Sequence, residues 1–241
     1  MRSMKNNLSL LQLVDSAFPT GAFAHSFGLE TAFKENKLSG PKELYEWLQD
    51  YIRGSLIPTE GIAVFVSYQT IQKEIEINAL PETVQEDLQR LDQKLTFSKK
   101  ASESRDGTVK IGKRYLKIVH TLYPEAGLDQ YAGWINERLC YGNPAIVHGW
   151  ISAYLDIPCD QAIFTHLYTN VNNLLQSALR MAVIGQTDAQ LILQRLYPLM
   201  DEEAEQIVHS SPGEKDLCNY AIVQETEAMR HETLYSRLFM S

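Results

Sequence analysis

The segment from Gln161 to Thr187 constrains the fold most, because it is long, apolar on one side and almost free of charge. Its apolar residues recur at helical spacing, which predicts one helix from Gln161 to Ile184 that ends before Gly185. Arg180 is its only formally charged residue, whereas a helix facing solvent normally carries several charges. We therefore expect a central helix that is covered on most sides. Its apolar face consists of Phe164, Leu167, Tyr168, Val171, Leu174, Leu175, Ala178, Leu179 and Ala182.

Two further helices are predicted from proline at the first helical position, where its missing N–H costs nothing. Pro41 begins one of them, and Gly54 is expected to terminate it. Asn143 is expected to cap the other, which begins at Pro144 and stops before Pro158.

Two capping-box sequences predict the helices that follow. Thr187–Gln190 is expected to open one helix after the break at Gly185, and Ser211–Glu214 to open a last long helix toward His231. The run 62–66 is compatible with a strand or a buried helix, and the polar segment 78–104 with an exposed helix or loop. These patterns predict an all-α fold, a single irregular bundle of about eight to ten helices, in one domain spanning residues 1–241 with a flexible N-terminus.

Charge and cysteine content exclude several classes of protein. The net charge of −8 disfavours nucleic acid as a partner, because such proteins need a basic surplus. The three cysteines are too few and too widely spaced for a disulfide framework. No signal-like segment and no apolar run of 18 residues occurs, so we expect a cytoplasmic protein without a membrane span.

Sequence motifs for catalysis or metal binding are missing. The chain has no P-loop, no dinucleotide-binding fingerprint, no paired zinc histidines and no nucleophile elbow. We therefore predict no catalytic residue, no metal ligand and no cofactor. Two alternatives stay open: a small cytoplasmic enzyme with Cys140 or Cys159 beside His148 or His166, and a helical transcription regulator.

Positive charge is concentrated between Lys99 and Lys117, which contain seven of the 22 positive residues. Such a cluster is either a docking surface for an acidic partner or a solvated helix face with local ion pairs to Glu103 and Asp106. The spacing favours the solvated face.

Four stretches resemble the UreF family of urease accessory proteins. They are Leu10–Glu30, Asn143–Gly149, Leu174–Leu193 and Ala228–Phe239. They occur in the order typical of the family, and the last is the most specific. The resemblance covers the chain from about Leu8 to its end.

The resemblance implies an all-α, dimeric and non-catalytic chaperone of nickel insertion. Proteins of this family bind the accessory protein UreD, also called UreH, and with it recruit the GTPase UreG. The assembly delivers nickel to apo-urease, and the family has been regarded as a regulator of GTP hydrolysis. The expected partners are therefore a UreD/UreH-like protein, UreG, apo-urease and a second copy of this chain.

Two sets of candidate site residues follow from the matching positions. The partner-binding set comprises Arg180, Gln186, Asp188, Arg230, His231, Glu232, Tyr235, Arg237, Leu238 and Phe239. The N-terminal motif comprises Asp15, Pro19, Gly21, His25 and Glu30.

The contacts of three of these features can be predicted. Arg180 is expected to rest against Asp188, Asp15 or backbone carbonyls, because an unpaired buried charge is costly. Asp15 is expected to support a helix N-terminus. The tail, about residues 229–241, is expected to become ordered on the UreD-like partner. The chain departs from the family at Ala22, where a glycine is usual, and at Met240, where an arginine is usual.

Overall fold

The computed structural model describes residues 4–74 and 80–241, with side chains described from residue 8 onward. The first three residues of the expected flexible N-terminus, and residues 78 and 79 of the polar segment, lie outside the described residues. All regular structure in these ranges is helical, which confirms an all-α single bundle. The α-helices are α1 (Met4–Val14), α2 (Leu29–Lys34), α3 (Pro41–Tyr51), α4 (Ile62–Glu74), α5 (Glu82–Ser98), α6 (Ser102–Leu122), α7 (Leu128–Asn136), α8 (Pro144–Tyr154), α9 (Cys159–Arg180), α10 (Gln186–Ser210) and α11 (Ile222–Arg230).

The predicted end of α3 at Gly54 is wrong. Helix α3 continues as a π-helix, Ile52–Gly61, directly into α4, so the run 62–66 is helical rather than a strand. A glycine ends a helix where its backbone turns left-handed, and Gly54 has no such conformation. Its carbonyl instead accepts a hydrogen bond from the Tyr220 amide at 2.7 Å, while the Pro58 carbonyl accepts one from Cys218 at 3.1 Å.

The most deeply buried helix is α8, in which every residue from 145 to 153 is buried. It packs along α4 and against α6 and α9. Asn143 precedes it as predicted, but its side chain does not cap the helix. The Asn143 amide donates to Asp92 and Thr96 instead, which ties the start of α8 to α5. The segment 78–104 is therefore not simply exposed, because α5 buries Leu88, Leu91 and Leu95.

We predict that Gly149→Ala lowers the free energy of unfolding by about 1–3 kcal/mol. A methyl group at this position of α8 would lie 2.0 Å from Ser67 Oγ and 2.5 Å from the Val64 carbonyl oxygen, both on α4. Gly133→Ala on α7 is the control, because nothing lies within 4 Å of its added methyl group. Chemical denaturation should show the control unchanged or stabilised by up to about 1 kcal/mol; equal effects of the two changes would contradict close packing of α4 on α8.

Helix α9 is covered on most sides as predicted, since only Gln161 and Arg180 of its 22 residues are exposed. It ends four residues before the predicted Ile184. Ala182 adopts a positive φ of 56°, and its backbone closes the helix before Gly185 is reached. Gly185 is the residue that precedes α10.

The two predicted capping boxes are misplaced. The amide of Gly185 is capped by the Asp188 carboxylate at 3.1 Å, so α10 begins at Gln186 rather than behind Thr187. Ser211 has a φ of 49° and ends α10 instead of opening the next helix. The last helix starts only at Ile222, after a single 3-10 turn and an extended stretch. In the described ranges no helix combines the length and apolarity that crossing a bilayer would need.

Candidate functional site

The C-terminal tail folds back onto the N-terminal motif, and Glu30 is the residue that holds it. Glu30 lies in the first turn of α2, is 1% exposed, and accepts hydrogen bonds from the amides of Leu238 at 2.8 Å and Phe239 at 3.1 Å. Its carboxylate also lies 3.0 Å from the Lys34 ammonium. Burial raises the pKa of Glu30, but these donors and His231 outweigh burial and leave the pKa below its usual value.

His231 is fully buried between two carboxylates. Its Nε2 lies 3.0 Å from Glu30 and its Nδ1 2.7 Å from Glu103 on α6. Both ring nitrogens thus lie within hydrogen-bond distance of a carboxylate, one on α2 and one on α6. Burial raises the pKa of Glu103, but His231 and Arg237 outweigh burial and lower it. Glu30, His231, Glu103 and Arg237 form a connected cluster of polar side chains beneath the tail.

The end of the tail is fixed by His25 and its neighbours. His25 Nδ1 lies 2.8 Å from the Ser241 hydroxyl, and the amide of Ser26 donates to the Ser241 carbonyl oxygen at 2.6 Å. Burial and the nearby cations Lys110 and Arg114 lower the pKa of His25 to about 4, so the ring is neutral at pH 7. These contacts lie within one chain and hold the tail against the bundle, and its binding to a UreD-like partner stays a prediction.

Arg180 packs on the tail rather than on either predicted aspartate. Its guanidinium lies 4.4 Å from the centre of the buried Phe239 ring and donates to the Phe23 carbonyl oxygen. The prediction of a backbone carbonyl partner is confirmed, and pairing with Asp188 or Asp15 is wrong. Those carboxylates bond locally instead, Asp188 to Gly185 and Asp15 to the Ala17 amide at 2.8 Å.

Several tail side chains point away from the bundle. Tyr235 is fully exposed and Leu238 is 60% exposed, although the amide of Leu238 is bonded to Glu30. Arg230 reaches Glu35 at 3.2 Å, and the Glu232 carboxylate accepts from the Ser102 hydroxyl. We call the exposed side chains of Arg230, Glu232, Tyr235 and Leu238 the tail surface.

The profile of the UreF family matches residues 38–197. The urease accessory protein UreF of Bacillus sp. (strain TB-90) is 39% identical over 238 residues, covering 99% of this chain and 100% of that protein. The corresponding protein of Lachnoclostridium phytofermentans is 35% identical over 234 residues, covering 97% and 98%. That of Streptococcus salivarius (strain 57.I) is 30% identical over 239 residues, covering 99% and 96%.

The chain belongs to the UreF family.

These relatives are named as urease accessory proteins, and members of the UreF family are not enzymes. Within residues 4–74 and 80–241, no three side chains of His, Cys, Asp or Glu are placed to hold a metal ion.

The remaining residues of the predicted site lie apart from the tail in this UreF-family chain. Pro19 is exposed in the turn between α1 and Gly21, and Gln186 is exposed at the start of α10. Gly21 has a φ of 78° and lies against Arg114. Ala22 sits in a short 3-10 helix with ordinary right-handed backbone, so an L-residue fits there without strain.

Sequence reasoning missed a buried ion pair between the π-helix and the residue that follows α5. The Lys99 ammonium lies 2.8 Å from Glu60, whose other oxygen is 2.8 Å from His166 Nε2. The Lys99 and Glu60 side chains are 5% and 4% exposed, so Lys99 is not part of a solvated face. Glu60 had a usable signal: like Arg180, it is an isolated charge in an otherwise uncharged run.

The alternative of a small enzyme requires an activated thiol at Cys140 or Cys159. Burial raises the pKa of Cys159 to about 12 and that of Cys140 further, whereas a nucleophilic thiol needs a lowered pKa. The ring of His148 bonds to the hydroxyl groups of Tyr115 and Thr165 rather than to either thiol. The geometry therefore opposes the alternative that the sequence left open.

Proposed function

We propose that this protein serves urease maturation as a non-catalytic binding subunit. It docks a UreD/UreH-like accessory protein through the tail surface. Two copies of this chain form a homodimer, which together with that protein recruits the GTPase UreG. The assembly delivers nickel to apo-urease, and this chain contributes to the regulation of GTP hydrolysis. We further propose that it acts in the cytoplasm.

The observation that carries the proposal is the exposure of apolar side chains on a rigidly held tail. Tyr235 and Leu238 are exposed, yet the backbone between them is fixed by Glu30 and by a Lys34 hydrogen bond to Ser236. Large apolar side chains that flank arginine are typical anchors of protein interfaces. Because the backbone is already ordered, a partner would bind with little further loss of conformational entropy.

We expect Tyr235→Ala combined with Leu238→Ala to weaken binding of the UreD-like protein at least a hundredfold, since both anchors are removed. Stability should change little, because Tyr235 makes no buried contact. Co-purification and calorimetric titration with the partner would measure the affinity, and thermal melting the stability.

Tyr220→Ala is the matched control, because Tyr220 is 65% exposed on another part of the surface. It should bind as the natural protein does. A double variant that still bound the partner with unchanged affinity would rule out the tail surface as the docking site, whatever its effect on urease activation in cells.

A further inference from the structure

An open groove of about 700 Å³ lies between α5 and the segment 214–219. Three of its lining residues are cations, namely Arg90, Lys94 and Lys100, and one is the aromatic residue Phe97. Arg105 on α6 extends this set, because its guanidinium lies 5.9 Å from the Phe97 ring. We call these five residues the basic groove.

Most of the positive charge in the basic groove is not neutralised by a carboxylate. Arg90 pairs with Asp87 and, at 3.5 Å, with Glu214. The Lys94 ammonium bonds only to the Glu214 carbonyl oxygen, at 2.7 Å. Across the described ranges, Lys94, Lys100 and Arg105 form no ion pair. This surplus stands out in a chain whose net charge is −8.

Arg105 is held in place by backbone groups. Its guanidinium donates to the carbonyl oxygens of Lys99 at 3.0 Å and of Lys100 at 3.2 Å. The neighbouring carboxylate of Glu225 is turned to the amides of Lys100 and Ala101. The cations are thus presented on an ordered framework.

An exposed aromatic pair provides an apolar contact beside these charges. Phe97 is 53% and Tyr141 38% exposed, and their rings meet edge to face at 5.3 Å. Exposed aromatic side chains next to arginine and lysine favour a partner that has both an apolar side chain and carboxylates.

We propose that the basic groove docks an acidic peptide segment that carries an aromatic residue. Carboxylates of the segment pair with Lys94, Lys100 and Arg105, and its aromatic side chain packs on Phe97. An extended nucleic acid does not fit this charge pattern, because the groove is short and the rest of the chain is acidic. None of its five residues belongs to the tail surface.

Fluorescence anisotropy with synthetic 12-residue peptides tests this assignment. The probe has six Asp or Glu residues and one Trp; one comparison peptide has Ala for Trp, and another has Lys for every acidic residue. We expect the acidic Trp peptide to bind the full chain, its Ala version to bind at least fivefold more weakly, and the lysine version not to bind. Raising the salt concentration should weaken binding.

The variant Lys94→Glu/Lys100→Glu should weaken binding of the acidic Trp peptide at least tenfold, and Phe97→Ser should remove the preference for Trp. Lys42→Glu is the control, because Lys42 is an 81% exposed lysine elsewhere on the chain; its affinity should stay within twofold. Thermal melting verifies that each variant is folded. Unchanged affinity in the double variant, no peptide binding at millimolar concentration, or equally tight binding of a 12-nucleotide DNA would overturn the proposal.

Discussion

Replacing Lys99 by methionine is expected to lower the free energy of unfolding by about 3–5 kcal/mol. The change leaves the Glu60 carboxylate buried, with His166 and Asn170 as its remaining hydrogen-bond partners. A buried charge that loses its counter-charge keeps the full cost of its lost hydration, which is why the single change is so harmful. Urea denaturation followed by circular dichroism would measure the loss.

Lys100→Met is the matched control for Lys99→Met. Lys100 is the next residue in the chain, but its side chain is exposed and joins no ion pair in the described ranges. Its replacement should change stability by no more than about 0.5 kcal/mol. If both variants lost the same stability, the effect would come from the local helix start rather than from the buried charge.

The pH dependence of the stability distinguishes the loss of the ion pair from the loss of side-chain packing. Burial raises the pKa of Glu60, but Lys99 and His166 outweigh burial and hold it well below its usual value of 4.5. Burial lowers the pKa of Lys99, but Glu60 outweighs burial and raises it above 10.5. The pair therefore stabilises the fold fully between about pH 4.5 and 10.5, and that stabilisation declines as acid protonates the carboxylate or base deprotonates the ammonium.

In the Lys99→Met variant, the effect of acid on the free energy of unfolding is reversed. Without the ammonium, burial shifts the pKa of Glu60 upward, so acid neutralises a destabilising charge instead of a stabilising one. The stability gap between the natural protein and the variant should thus narrow as the pH falls from 7 to 4. A gap that stayed constant over this range would indicate lost side-chain packing.

Prolines predicted their helix starts correctly, whereas the expected helix end at Gly54 and the two capping boxes were wrong. Pro41 and Pro144 occupy first helical positions as predicted, because a proline restricts its own backbone. The prediction at Gly54 failed because its role depends on a distant part of the chain, and the prediction at Ser211 failed because Ser211 ends α10 instead of opening a helix. Gly54 is crossed by the segment around Tyr220, and Ser211 turns left-handed where α10 ends.

The candidate site was predictable as a set of residues but not as an arrangement. The resemblance to the UreF family selected Glu30, His231 and Phe239, which the structure brings together. The sequence around Glu30 does not indicate that its carboxylate binds the Leu238 amide, which lies 208 residues away in the chain. Such a contact is decided by the packing of α2, α6 and α11 around it.

Glu30→Ala is expected to release the tail from the bundle. The amides of Leu238 and Phe239 both donate to this carboxylate, and His231 would lose one of its two carboxylate partners. Hydrogen bonds to a charged group contribute about 1.5–3 kcal/mol each, so the combined loss should be about 3 kcal/mol or more. Hydrogen exchange at the two amides should accelerate at least a hundredfold, while α8 stays protected.

Glu35→Gln provides the comparison for Glu30→Ala. Glu35 follows α2 and pairs with Lys37 and Arg230 at the surface, so its change should leave exchange at the Leu238 and Phe239 amides as it is. If Glu30→Ala did not accelerate exchange at these amides, the tail would be held by the packing of Phe239 and the contacts of Ser241 instead.

Release of the tail should also weaken docking of the UreD-like protein, even though Tyr235 and Leu238 are intact in Glu30→Ala. A partner that binds the docked tail can bind only those molecules in which the tail is docked. The apparent affinity of the partner is therefore reduced in proportion to the fraction of such molecules. We expect calorimetric titration to show at least tenfold weaker binding, with a less favourable entropy. Equal affinity for the natural protein and Glu30→Ala would mean that the partner binds the tail in a different conformation, and that the contacts with Glu30 are exchanged for others in the assembly.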